Sequence, residues 1–397
     1  MKKLNLLIAL PLLAGSVLLA PTKANAQDNK QTEFETLWYE PCFTKKDNEK
    51  CYALSKELIE KYPSSAYVKN AQKIIRVYDQ TKAWEKFQTA LTAFYAPPQD
   101  AAKLDQLFAA SEAYLKFDPA ESRVHAQMAL AGINGAFGQF YKDFGRVKGY
   151  ADTAMKSFAS TSTPEGWKPD EWLTMRDLVL AQSNQYLGWM LLNQHSDPSQ
   201  TPKSDQEQAL GYIATATQIK GKDGVGWKDP HNYWLRSTVY NNQYVELKKT
   251  YEAMTEEQKL GEPGKEIRAK INTLLDTNLI PEYARVLATA TRPESKNFYD
   301  AAKPQFDAYW IYRTDAADKA DAYIKNYASD PTIATVAIPA KAETADVAIA
   351  PAAPTPGAAP VKLSVGGKPG ASDTTAKTTA KGATAKGGSK SRRKGKA

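Results

Sequence analysis

Between Gln27 and Asp330 the apolar positions of the chain recur with a helical period. Trp84, Phe87, Leu91 and Phe94 fall at i, i+3, i+7 and i+10, which puts them on one face of a helix. Phe306, Tyr309, Trp310, Tyr323, Ile324 and Tyr327 continue the habit near the end of this stretch. No run alternates in Val, Ile and Thr, so the pattern predicts an all-α body without strands. The two ends read differently. Leu4 to Ala20 is apolar apart from Asn5, Pro11, Gly15 and Ser16, and from about Pro331 onward the chain is Ala, Pro, Thr, Gly and Lys with almost no periodicity.

The breaks between helical runs share a form. Lys61-Tyr62-Pro63-Ser64-Ser65 closes one helix, and Phe117-Asp118-Pro119-Ala120-Glu121 closes another and opens the next. There Asp118 is expected to cap the free N–H groups, with Pro119 at the first helical position. Asp229-Pro230 reads the same way before His231, and Ser204 to Glu207 has the spacing of a capping box.

Helix–Asp-Pro–helix units with small residues on their packing faces resemble tetratricopeptide repeats. Leu187-Gly188 resembles the Leu-Gly pair of a first repeat helix. Ala209, Ile213 and Ala216 resemble the small and large positions of a second, and Ala110, Ala113, Tyr114 and Pro119 resemble another second helix with its closing proline. The resemblance runs over residues 48–330 in degenerate form: Pro63 and Pro119 are spaced wider than one repeat, and Ser196–Lys203 interrupts one pair. It implies an α-solenoid of stacked antiparallel helix pairs. A body of this length exceeds what one core usually serves, whereas stacked pairs each bury an apolar face against a neighbour.

The N-terminal run follows Lys2 and Lys3 and ends at Ala24-Asn25-Ala26, the small-x-small pattern of a cleaved signal peptide. Residues 1–26 are therefore expected to be a leader, residues 27–330 the helical body and residues 331–397 a disordered tail. Export, to a periplasmic or extracellular address, makes Cys42 and Cys51 candidates for a disulfide.

Charge follows the same division. The chain is +8 overall, and residues 331–397 hold eleven Lys or Arg against three acidic residues. With Lys2, Lys3 and Lys23 in the leader, the body is left at about −3, so its charge does not mark a nucleic-acid surface. The tail ends in Lys390, Arg392, Arg393, Lys394 and Lys396, candidates for contact with an anionic envelope polymer or nucleic acid.

Candidate chemistry is sparse. His125, His195 and His231 share no metal-ligand spacing, and Gly132-Ile-Asn-Gly135-Ala-Phe-Gly138 lacks the preceding strand of a phosphate loop. Neither cofactor, metal nor catalytic group is expected. The body contains most of the chain's 21 Tyr and 8 Trp, which also suit a binding groove. Asn241 and Asn242, flanked by Tyr233, Trp234, Tyr240 and Tyr244, are the expected contacts for a protein or peptide partner. The function class that follows is an exported non-catalytic scaffold. The alternatives are a tail-anchored envelope protein and a polysaccharide hydrolase, the last requiring two carboxylates roughly 5–9.5 Å apart in a cleft.

Overall fold

The computed structural model describes residues 26–194 and 200–341. Within them the chain is helical, with a lone β-bridge between Lys220 and Gly226 and no strand. The helices are α1 (Ala26–Tyr39), α2 (Asn48–Lys61), α3 (Val68–Tyr95), α4 (Ala101–Leu115), α5 (Ser122–Phe137), α6 (Phe144–Ser157) and α7 (Pro169–Leu192). They continue as α8 (Lys203–Gln218), α9 (Pro230–Glu252), α10 (Glu256–Leu260), α11 (Glu262–Leu274), α12 (Ile280–Thr289), α13 (Lys296–Arg313) and α14 (Ala320–Lys325). A π-turn over Leu275–Leu279 joins α11 to α12.

Sequence neighbours pack on each other: α2 on α3, α3 on α4, α5 on α6 and α7 on α8, while α9 meets α8, α11 and α12. The expected stacking of helix pairs is present. Apolar side chains gather in successive clusters rather than one centre. One holds Trp38, Leu54, Leu58 and Ala71, another Phe87, Phe94 and Phe108, and the last Tyr244, Tyr283, Tyr309 and Trp310. The α3 face predicted from its period points inward, with Phe87 and Phe94 buried and Trp84 and Leu91 half-buried.

The pair most like a tetratricopeptide unit packs through its small residues. A Cβ on Gly188 of α7 would lie 2.6 Å from Ile213 Cγ1 and 3.2 Å from the Ala209 carbonyl of α8. Gly135 does the same for α5, where a Cβ would lie 2.7 Å from Leu104 of α4. The Gly132–Gly138 stretch is thus a helix that lets its neighbours approach.

Caps agree with the sequence in one case and depart from it in two. Asp229 caps α9, accepting from the His231 amide at 2.9 Å, with Pro230 in the first turn. At Asp118-Pro119, however, α5 begins only at Ser122. Glu121 is its cap and accepts from the Arg123 amide at 3.0 Å, while the Asp118 carboxylate closes a turn on Ala120. Ser204 lies inside α8, which starts at Lys203 after Pro202, so no capping box forms there. Pro202 itself stands at the cap with ψ 146°, two residues before the serine.

Among the described residues no helix is long and apolar enough to cross a membrane. The expected leader lies outside the described residues up to Asn25, as do His195 and the chain from Ala342 onward.

Candidate functional site

The expected tail begins at Pro331, and its first residues, 331–341, are described. They lie as a strap, a turn over Pro331–Ile333 followed by chain without regular structure, against α12, α13 and α14, and the body supplies partners for the strap's backbone. At the root, Asp330 accepts from the Thr332 amide at 2.9 Å and from Lys220 Nζ at 2.9 Å. Hydrogen bonds from the Thr332 hydroxyl, Lys220 and the Thr332 amide hold the Asp330 carboxyl down to about 2.

Arg285 of α12 makes the first grip. It is 5% exposed, donates from Nε to the Pro331 carbonyl at 2.9 Å and from Nη2 to the Ile333 carbonyl at 3.0 Å. Its remaining terminal nitrogen, Nη1, meets Glu282 Oε1 at 2.8 Å, and Arg236 Nη2 reaches the same oxygen at 2.9 Å. The guanidinium lies 4.7 Å from the centre of the Tyr327 ring. A buried carboxylate is costly unless paired, and both arginines meet Glu282 through the same oxygen.

The second grip is a closed ring of hydrogen bonds around one residue. The Val336 amide donates to the Tyr327 hydroxyl at 2.9 Å, and the Tyr323 hydroxyl donates to the Val336 carbonyl at 2.9 Å. The two hydroxyls are 3.3 Å apart. Since Tyr323 spends its proton on the carbonyl, Tyr327 is the donor between them, and each bond polarises the next. Burial pushes the Tyr323 phenol far above its usual range, so it stays a donor. Val336 and Ile338, two residues apart, rest half-buried on the aromatic cluster.

The strap ends where the Lys341 amide donates to the Arg313 carbonyl at 2.9 Å. Arg313 is itself fixed by a two-pronged pair with Asp276, Nε and Nη2 each 2.7 Å from a carboxylate oxygen. Sequence reasoning missed this site because its charged and hydroxyl groups are spread over α9, the π-turn, α12, α13 and α14. The signal present in the strap itself was the run Ile333-x-x-Val336-x-Ile338 inside an otherwise Ala- and Thr-rich segment.

The amide–aromatic segment of α9 falls elsewhere than expected. Tyr233, Trp234, Asn241, Asn242 and Tyr244 are buried, and only Tyr240 is half-exposed. Tyr233 donates to the Trp227 carbonyl at 2.6 Å, Asn241 accepts from the Tyr309 hydroxyl at 3.1 Å, and Tyr244 meets the Tyr309 ring edge-on at 5.3 Å. These residues form core rather than a partner groove, because α9 is enclosed by α8 on one side and α11 and α12 on another.

His231 is 1% exposed, held between the rings of Phe137 and Phe298 at 5.1 and 5.3 Å. Burial depresses its pKa to about 4 against the opposing pull of Asp229. His125 donates from Nε2 to the Pro119 carbonyl at 2.8 Å, a structural contact. Cys42 and Cys51 are joined as a disulfide between the turn after α1 and the start of α2. The surface groove between α9 and α11, about 570 Å³, is lined by Leu247, Ala269 and Leu274 and has a single carboxylate, Glu266, in its wall. Among the described residues no three His, Cys, Asp or Glu side chains are grouped to hold a metal ion. Lys390, Arg392, Arg393, Lys394 and Lys396 lie outside the described residues.

Comparison with protein-family models, curated proteins and solved structures finds no significant match.

Proposed function

We propose that the chain is an exported, non-catalytic scaffold that binds a protein or peptide partner on its tetratricopeptide-like helical stack. The single observation that supports this reading is the main-chain grip on the strap. Pro331 and Ile333 are held by their carbonyls and Val336 by both its amide and its carbonyl. Holding a chain by its backbone, with Val336 and Ile338 in apolar contact, is the chemistry of peptide capture. The Cys42–Cys51 disulfide fits an oxidising compartment outside the cytoplasm. The test is in-situ crosslinking of the full chain in envelope extracts, followed by mass spectrometry. A small set of specific partners is expected, and enrichment no greater than with heat-denatured protein would overturn the reading.

A second reading draws on the same strap. Because the Lys341 amide is fixed to Arg313, the basic tail is rooted on the body at a defined place, as a tether to an anionic polymer requires. Deleting residues 375–397 should then release the protein from the envelope at lower salt. Unchanged, salt-insensitive retention would dispose of it.

A further inference from the structure

We propose that the Arg285–Tyr323–Tyr327 clamp is a receptor site for peptide segments that turn and then run on with two aliphatic side chains spaced two residues apart, and that the strap is its built-in competitor. The inference rests on the scaffold reading and deepens it by naming the class of partner and the means of regulation.

Three features carry it. First, the grip is indifferent to sequence at most positions. Arg285 reads the carbonyls of Pro331 and Ile333, and the two tyrosines read the amide and carbonyl of Val336. A segment that makes the same turn ahead of its Val336 position, and has no proline there, presents the same amide and carbonyls. Selectivity comes from the seats of Val336 and Ile338 on the aromatic cluster, whereas Ala334 and Ala337 are exposed.

Second, the clamp stands without its occupant. Arg285 keeps Glu282 and the face of Tyr327, and the Tyr323 and Tyr327 hydroxyls keep each other. An empty clamp therefore leaves its charged group paired and its phenols bonded. This is a preformed site rather than one built only around the strap.

Third, the strap is lightly seated for a part of the body. Residues 332–335 are exposed, Ile333 by 38%, and only Pro331 of the strap is buried. It is joined to the last helix through Asn326 to Asp330, a connection so short that its local concentration at the clamp is in the millimolar range. A free peptide of the same chemistry has to compete with that concentration. The strap thus sets a threshold that only an abundant or better-fitting segment passes.

The test keeps the full chain and unseats the strap in place, with Val336→Asp and Ile338→Asp together. The probe is a fluorescein-labelled peptide with the sequence of residues 331–341, titrated by anisotropy. The unseated variant should bind it at least tenfold more tightly than the wild-type chain. Adding Tyr323→Phe and Tyr327→Phe to that variant should weaken binding at least tenfold, and a probe with Asp at the Val336 and Ile338 positions should not bind. A folded, unseated variant that ignores the probe would overturn the proposal. A milder variant, Val336→Ala with Ile338→Ala, guards against misfolding. If neither variant folds, the strap is part of the core and the proposal is equally overturned. Either failure leaves the scaffold reading to its own partner experiment, which uses no clamp variant.

Discussion

Tyr327 accepts a hydrogen bond from the Val336 amide at 2.9 Å while its ring supports the Arg285 guanidinium 4.7 Å from the ring centre. One side chain thereby ties both grips of the clamp together. The hydroxyl reads one residue of the strap, and the ring face orients the cation that reads two others. The main-chain grip on the strap is rooted in this arrangement.

Arg285 should be the costliest residue of the clamp to lose. Arg285→Met removes one of two cations from Glu282, which is 1% exposed, and leaves an incompletely paired buried charge. A loss of roughly 3–5 kcal/mol in urea unfolding is expected. The double change Arg285→Met with Glu282→Leu should recover part of it. Equal stability of Arg285→Met and wild type would contradict the pairing.

The α7–α8 contact depends on the absence of a side chain at one position. Gly188→Leu drives new atoms into Ile213 and should cost about 1–3 kcal/mol. Gly211 of α8 has open space around its missing Cβ, so Gly211→Ala should stabilise by roughly 0.5–1 kcal/mol. Thermal unfolding of the two variants should move in opposite directions.

Gly188 shows what was legible beforehand. The repeat resemblance put Gly188 in a first helix and Ile213 in a second, and the structure places the two in contact. The Asp229-Pro230 cap was legible for the same reason: its bond spans two residues and needs nothing distant. Asp118 and Ser204 misled because a capping residue is recognised only relative to where the helix starts, and α5 starts at Ser122 and α8 at Lys203. The amides Asn241 and Asn242 looked like a polar face because their partners come from elsewhere: Tyr309, bonded to Asn241, is 68 residues further on. The strap was hidden by composition. Ala- and Thr-rich chain cannot order itself, but Arg285, Tyr323, Tyr327 and Arg313 order it from outside.

Breaking the disulfide should loosen the N-terminal end locally. The bond spans nine positions between Cys42 and Cys51, and in the chain-entropy model such a loop contributes about 2–3 kcal/mol. Replacing both cysteines with serine should expose the cluster of Trp38, Leu54 and Leu58 to limited proteolysis. The region around Tyr283 and Tyr309 should stay as resistant as in the wild type.

His231 sets an acid limit on the fold. Its pKa in the folded chain is depressed to about 4, below the ordinary value of 6.5, so the unfolded chain binds the proton first. The stabilising contribution is therefore complete above about pH 6.5 and is lost as pH falls towards 4, at up to about 1.4 kcal/mol per pH unit. The carboxylate facing it is Asp229, whose attraction for the imidazolium only partly offsets burial between Phe137 and Phe298. In His231→Phe the urea midpoint should fall less steeply between pH 6.5 and 4.5. Parallel curves for variant and wild type would show that His231 is not the titrating group.

Hydrogen exchange at the Val336 amide tests the clamp most directly. In the full chain, exchange of this amide should be at least tenfold slower than in a free peptide of residues 331–341, and Tyr327→Phe should restore fast exchange. An amide that exchanges in the full chain as fast as in the free peptide would mean that the strap is not held, and that the body does not grip it by its backbone.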